Sequence, residues 1–101
     1  MQDNELKKLD LLIMMVQGEN SKQLLKWGQQ VHEPCTWMAI LTEEIGELAA
    51  SIIENECDNG TTSRVIEEAI QCATLCLKIA EMYVIKKKQV QELYVRGVAQ
   101  G

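Results

Sequence analysis

Four glutamates are the strongest candidates for a chemical role in this sequence. Glu43, Glu44 and Glu47 lie in an apolar stretch with helical periodicity, and Glu68 lies in a second such stretch. On a helical projection Glu44 falls on the shoulder of the apolar stripe, and Glu68 falls between apolar residues. An ionised carboxylate in apolar surroundings is costly unless it is paired or bound to a metal. Several such groups facing one another suggest a hard divalent cation, magnesium or manganese.

The spacing of these acids favours a shared site between two helices. Glu44 and Glu47 are three residues apart and project from one side of a helix, and Glu68 and Gln71 repeat this spacing on the next. If the two helices pack antiparallel, the four side chains form a cage of oxygen ligands, as in metal sites of helical bundles. The alternative is that these carboxylates are solvated on the helix surfaces.

The first predicted helix follows a cap at Asp3 or Asn4 and reaches residue 31. Its apolar residues keep one helical phase throughout; they are Leu6, Leu9, Ile13, Val16, Leu24, Trp27 and Val31. This continuity predicts a single helix with Gly18 on its exposed side. Two helices with a turn at Gly18 are the alternative.

Two further helices are predicted to carry the acids. Pro34 stops a helix, and Thr36 can cap the next, so residues 32–36 form a connector. Residues 58–61 have the composition of a turn, and Thr62 or Ser63 caps the third helix. The second helix is predicted at about residues 37–56. The third follows its cap and reaches about residue 85, and residues 86–98 form a helical extension or a short fourth helix.

Composition predicts one all-α domain spanning residues 1–101, with its core at about residues 4–85. The chain is 47% hydrophobic but has no Phe and only 4% aromatic residues, so its core must be aliphatic, which favours helices packed on helices. A chain this short buries a modest core, and a helix that is apolar around most of its girth needs several neighbours. We therefore expect an antiparallel helical bundle that completes its core by oligomerisation.

The charge and hydropathy patterns exclude several classes of function. A net charge of −5 argues against a nucleic-acid partner, which requires clustered Lys and Arg. The only basic cluster, Lys86–Lys88, is typical of a helix C-terminus. No apolar run approaches the roughly 20 residues of a membrane span, and the N-terminus is acidic where a secretory signal is basic. We expect a cytoplasmic protein.

Four cysteines leave two interpretations open. Cys35, Cys57, Cys72 and Cys76 could form two disulfides, but a chain that is not secreted favours reduced thiols. Cys72 and Cys76, four residues apart, are typical of packed thiols on a helix. His32-x-x-Cys35 has the spacing of half a zinc site, but no second pair has suitable spacing.

The acidic motif and its flanks resemble a known family, the all-α nucleoside triphosphate pyrophosphohydrolases of the MazG and dCTPase/dUTPase type. The family motif is Glu-Glu-x-x-Glu followed by Glu-x-x-Asp. Here it reads Glu43-Glu44-Ile45-Gly46-Glu47 and Glu68-Ala69-Ile70-Gln71. The segments Lys26-Trp27-Gly28-x-Gln30-x-His32 and Trp37-x-x-Ile40-Leu41 resemble short, single-domain members of phage and mobile elements. The resemblance covers about residues 19–80.

The resemblance implies a metal-dependent hydrolase. Its ligands to Mg²⁺, or to Mn²⁺, would be Glu44, Glu47 and Glu68, with Gln71 in the fourth place. Glu43 would match the residue that orients or deprotonates the attacking water. The implied reaction is hydrolysis of a nucleoside triphosphate to the monophosphate and pyrophosphate, by a homodimer or homotetramer.

Gln71 is the departure from the family motif, since an aspartate is usual there. Its amide oxygen can bind a hard cation, but the cage loses one formal negative charge. Weaker metal binding, a preference for Mn²⁺ or lost activity could each follow. The alternative functions are therefore a helical oligomer that binds metal and nucleotide without turnover, or a purely structural oligomer.

Five further residues are candidate contacts to the substrate: Lys26, Trp27, His32, Trp37 and Lys78. A base could stack on either tryptophan, although Trp27 shares the phase of core residues and is favoured as a core aromatic. His32 could bind the base or a phosphate, or simply occupy the connector. Both lysines suit phosphate by charge, with solvated side chains as the alternative.

Overall fold

The computed structural model describes residues 3–57 and 60–100, and this part of the chain forms three helices without a strand. The helices are α1 (Asp3–Trp27), α2 (Pro34–Cys57) and α3 (Thr62–Gln100). The prediction of an all-α fold is confirmed. None of the described helices combines the length and the apolar character needed to cross a membrane.

A left-handed glycine ends the first helix. α1 continues through the exposed Gly18, so the prediction of a single helix is confirmed. Gly28 has a φ of 69°, and its N–H donates to the carbonyl oxygen of Leu24 at 2.8 Å, as in a helix C-cap. The predicted end at residue 31 is wrong, because Gly28 terminates α1 four residues earlier.

The second helix begins at its proline. α2 starts at Pro34, and the N–H of Trp37 donates to the carbonyl oxygen of Glu33 at 3.1 Å. Proline suits the first turn of a helix, where the N–H that it lacks needs no partner. The predicted connector through residue 36 is therefore too long, and Thr36 lies inside the helix rather than capping it.

The third helix is continuous through residue 100, so the predicted extension at 86–98 is part of α3. Thr61 caps α3, since its Oγ1 accepts a hydrogen bond from the N–H of Arg64 at 3.3 Å. The cap lies one residue before the earlier of the two predicted caps.

Of the predicted turn, residues 58 and 59 lie outside the described residues. Gly60 donates to the carbonyl oxygen of Glu54 at 3.1 Å. A Cβ on Gly60 would lie 2.7 Å from the backbone of residues 54 and 55, which only glycine avoids.

Both α1 and α2 pack against α3. The buried core lies mainly between α2 and α3; its members are Trp37, Ser51, Cys72, Thr74 and Leu75. An ion pair between Arg64 and Glu54 joins the end of α2 to the start of α3. These contacts agree with the predicted antiparallel packing of the two helices.

The single chain is elongated and keeps much of its apolar surface in solvent. Its extents are 65 × 36 × 25 Å, and its accessible surface is 8083 Å². A compact monomer of 11.4 kDa exposes about 5,800 Å². Residues 4–15 of α1 and 83–92 of α3 are exposed throughout. The large apolar side chains in these segments include Leu6, Leu9, Leu12, Ile13, Tyr83, Val84, Ile85 and Val90.

Candidate functional site

Three of the predicted glutamates meet between α2 and α3. Glu44, Glu47 and Glu68 each present a carboxylate oxygen, and these atoms all lie within 4.8 Å of one another. Glu44 and Glu47 project from one side of α2 because they are a turn apart, and Glu68 approaches from α3. We call these three residues the acidic cluster.

Two members of the acidic cluster each have one buried carboxylate oxygen. Glu44 and Glu68 are half-buried, whereas Glu47 is exposed. Oε2 of Glu44 and Oε2 of Glu68 are buried and have no hydrogen-bond partner among the described residues. Within the same part of the chain, none of the three carboxylates belongs to an ion pair. Buried carboxylate oxygens without partners are unfavourable unless a proton or a cation joins them.

The electrostatics of the cluster agree with this arrangement. Burial is the largest of the causes that raise the pKa of Glu44 above its usual value of 4.5. The negative charges of Glu47, Glu68, Glu43 and Glu19 add to it, in that order. Burial and neighbouring negative charges both disfavour the ionised form, so Glu44 holds its proton more tightly than an isolated glutamate does. Glu43 is exposed beside the cluster, and its charge acts on Glu44.

A cavity of about 210 Å³ adjoins the cluster at Glu44. Gln71 lines it, so the structure brings the fourth residue of the predicted cage to the same place as Glu44. The other lining residues are Glu19, Gln23, Trp27, Gln30, Ile40 and Leu75. We call this space the acidic cavity.

Glu19 was missed in the sequence, although it lines the acidic cavity from α1. Gln23 Nε2 donates to Glu19 Oε1 at 2.9 Å, and Lys78 Nζ donates to Gln23 Oε1. This chain of hydrogen bonds crosses from α1 to α3. The only local signal was the four-residue spacing of Glu19 and Gln23 on a helix, which is common and points to no site.

A second cavity, of about 460 Å³, shares Gln30 with the acidic cavity and is therefore its neighbour. Its lining residues are Asn20, Leu24, Gln29, Gln30, Val31, Trp37, Lys78, Glu81, Met82 and Ile85. Its volume lies in the range of small-molecule sites. We call it the large cavity. Lys78 lines it while bonded to Gln23 of the acidic cavity, so this lysine stands between the two spaces.

The side chains of Trp37 and His32 contact each other beside the large cavity. Trp37 is 3% exposed, and the imidazole of His32 contacts it edge-on, with ring centroids 4.7 Å apart. Both Trp37 Nε1 and His32 Nε2 are buried without a hydrogen-bond partner among the described residues. Trp37 is thus a core residue that also lines the cavity, and His32 is half-buried against it.

Trp27 is 55% exposed, so the prediction that it is a core aromatic is wrong. The phase argument assumed that the helix continues to Val31, but α1 ends at Trp27 and Val31 is 83% exposed. Trp27 instead lines the acidic cavity. Lys26 lies over its ring, with Nζ 4.6 Å from the centroid, in a cation–π contact.

The four cysteines are free thiols; Cys72 is buried, as expected of a packed thiol, but Cys76 is exposed, so that prediction is wrong for Cys76. Cys72 is buried, and burial is the first cause of its raised pKa, followed by the charges of Glu44, Cys76, Glu68 and Glu47. Burial and the nearby negative charges thus both favour the protonated form of this thiol. Among the described residues, His32 and Cys35 belong to no group that could hold a metal ion.

The fold and site define an all-α protein with an acidic cluster between two antiparallel helices and two adjoining cavities beside it. No family model matches the chain, and it has no match among curated proteins or solved structures. Its function is therefore inferred from its own residues and their arrangement.

Proposed function

We propose that this protein is a Mg²⁺-dependent nucleoside triphosphate pyrophosphohydrolase. The observation that carries the proposal is the meeting of three carboxylates within 4.8 Å, two of which bury an unpartnered oxygen. The resemblance of the two acidic motifs to that family supports it. The proposed substrates are ribo- or deoxyribonucleoside triphosphates, and the products are the monophosphate and pyrophosphate.

The residues present fit a hard cation. The buried Oε2 atoms of Glu44 and Glu68 lack a donor, and oxygen ligands of this kind suit Mg²⁺ or Mn²⁺. Glu44, Glu47 and Glu68 would hold the ion, with the amide oxygen of Gln71 in the fourth place. When bound, the ion would neutralise phosphate oxygens that a chain of net charge −5 otherwise repels.

The remaining residues are assigned by position. Glu43, exposed beside Glu44, orients a water molecule and accepts its proton as the water attacks the α-phosphorus. A bond forms from the water oxygen to that phosphorus, the bond to the bridging oxygen breaks, and pyrophosphate leaves with the electron pair. Lys78, between the two cavities, contacts a phosphate, and the large cavity takes the nucleoside. Trp37 lines the large cavity, and His32 contacts Trp37.

We further propose that the active form is a homodimer or homotetramer. The chain exposes about 2,300 Å² more than a compact monomer of its mass, and its exposed segments are rich in large apolar side chains. For two chains this excess is about 4,600 Å², which is the size of an obligate interface. A second copy that covers residues 4–15 and 83–92 would supply the missing core.

A second candidate function is a helical oligomer that binds metal and nucleotide with little or no turnover. Gln71 favours this alternative, since it lies in the acidic cavity with Glu44 where the family motif has an aspartate. The loss of one negative charge weakens the hold on a divalent cation. Both candidates use the same residues and differ only in whether product forms.

The test is release of pyrophosphate from a panel of ribo- and deoxyribonucleoside triphosphates with Mg²⁺ or Mn²⁺. We expect product with at least one triphosphate and its loss in Glu44→Gln and Glu68→Gln. Glu67→Gln is the matched control, because Glu67 is exposed and adjacent to Glu68. Turnover that is unchanged in Glu44→Gln and Glu68→Gln defeats the assignment of the site.

Melting temperatures of the same proteins distinguish the second candidate function from the first. If metal plus nucleotide raises the melting temperature without product, the chain is a binding protein. If neither ligand changes the melting temperature and no product forms, the acidic cluster has a structural role only.

A further inference from the structure

A fourth carboxylate reaches the acidic cavity from a helix that carries no part of the acidic motif. Glu19 of α1 is half-buried and lines this cavity together with Glu44 and Gln71. It lies close enough to the cluster for its charge to act on Glu44, after burial and the nearer glutamates. The side chain therefore adds an acidic group to a cavity in which position 71 is an uncharged amide.

The hydrogen bonds of Gln23 fix the position of Glu19 and place an amide between it and Lys78. The amide of Gln23 donates through Nε2 to Glu19 and accepts through Oε1 from Lys78. Because the amide stands between them, the lysine does not pair with the carboxylate directly. Glu19 thus forms no ion pair among the described residues, while Lys78 lines the large cavity.

We propose that Glu19 supplies the fourth acidic side chain of the metal site, in place of the residue at position 71, and that Gln23 is the positioning residue that holds it there. This inference rests on the proposed function, since it assumes a divalent ion at the acidic cluster. It follows that the site is completed by the packing of α1 on α3, and that the neutral Gln71 does not lower the total charge of the site.

The test is Mn²⁺ binding, measured by the loss of the free-ion signal in electron paramagnetic resonance. We expect Glu19→Gln to weaken binding about tenfold or more, a typical loss for a group that supports a metal site. Glu67→Gln is the control, an exposed glutamate outside the acidic cavity, and should leave affinity unchanged. Gln23→Met, which keeps the side-chain length but removes both hydrogen bonds, should also weaken binding and provides a second variant if Glu19→Gln does not fold.

A double-mutant cycle tests whether an acidic side chain at position 71 can replace Glu19. In a Gln71→Asp background the loss caused by Glu19→Gln should fall below about threefold, because an aspartate at position 71 makes Glu19 dispensable. An equal loss in both backgrounds overturns the inference, as does an affinity within twofold of wild type for both Glu19→Gln and Gln23→Met. Under either of these outcomes the loss of Mn²⁺ binding in Glu44→Gln would still support the proposed function. If the wild-type chain binds no Mn²⁺, the proposed function fails first and the inference with it.

Discussion

The carboxylates of Glu44 on α2 and Glu68 on α3 approach within 4.8 Å of each other, and each keeps one oxygen buried without a hydrogen-bond partner. Two like charges in this position oppose the packing of the helices that carry them. The helices nevertheless meet here, because Leu75 and Cys72 of α3 pack into the same interface and are buried. The site is therefore a place where the fold tolerates an unfavourable charge that a cation could neutralise.

The first prediction concerns the pH dependence of stability without metal. The pKa of Glu44 is raised in the folded chain, so the folded state binds this proton more tightly than the unfolded state does. The free energy of unfolding therefore falls as the pH rises from the usual value of 4.5 to the raised pKa, and then stays at the lower level. Glu44→Gln removes this contribution and should melt higher than wild type at neutral pH.

The measurement is thermal unfolding by circular dichroism in a chelator at about pH 4 and about pH 7. The advantage of Glu44→Gln should be present at the higher pH and absent at the lower, where the wild-type carboxyl is protonated. Glu67→Gln, an exposed neighbour of the cluster, is the control. The same difference at both pH values would show that the carboxylate charge at Glu44 is not the cause.

The second prediction compares two glycines. Gly18→Ala should stabilise the chain by up to about 1 kcal/mol, since Gly18 is inside a helix and a Cβ there meets nothing within 4 Å. Gly60→Ala should destabilise it by about 1–3 kcal/mol, because its Cβ would lie 2.7 Å from backbone atoms that cannot move aside.

Melting temperatures of the two variants check this, with about 4–8 °C expected per kcal/mol. Shifts of the same sign would contradict the close approach of Gly60 to the end of α2.

The fold class and the pairing of the acids could be predicted from sequence because both are local or compositional. A chain with no Phe, whose apolar residues are mostly aliphatic, packs as helices. A spacing of three residues puts Glu44 and Glu47 on one side of a helix, whatever the exact bounds of that helix. The helix bounds were predicted less well. Gly28 could have ended α1 and Pro34 could have opened α2, since both are standard signals, but the apolar phase through Val31 was given more weight.

The rest of the site depends on contacts between distant parts of the chain. Glu19 joins the acidic cavity only because α1 packs on α3, and no pattern within α1 indicates which of its polar residues will face that helix. The exposure of Trp27 likewise follows from where α1 ends and not from its spacing to Leu24. Sequence reasoning therefore located the part of the site with a local motif and missed the part made by tertiary packing.

The third prediction concerns Lys78. Its substitution should affect the binding of substrate much more than the binding of metal. Lys78→Met should raise the KM for a triphosphate about tenfold, because a charge-assisted contact to a phosphate is lost. Mn²⁺ affinity should change much less, because Gln23 still donates to Glu19. Steady-state kinetics and metal titration give the two quantities. Lys22→Met is the matched control, an exposed lysine of α1 outside both cavities that should alter neither. A KM that stays at the wild-type value would remove Lys78 from the substrate site.

The fourth prediction concerns the oligomer. Ile13 of α1 is 46% exposed, and Val90 of α3 is 60% exposed. Each lies in a segment whose described side chains are exposed to solvent. If a second copy covers these segments, Ile13→Glu or Val90→Glu places a charge in an apolar interface and should shift the assembly towards monomer. Light scattering after size-exclusion chromatography should give at least twice 11.4 kDa for wild type and about 11.4 kDa for the variants. Gln17→Glu adds the same charge at an exposed polar position of α1 and should leave the mass unchanged. A wild-type mass of one chain would show that these apolar surfaces are not covered by a second copy.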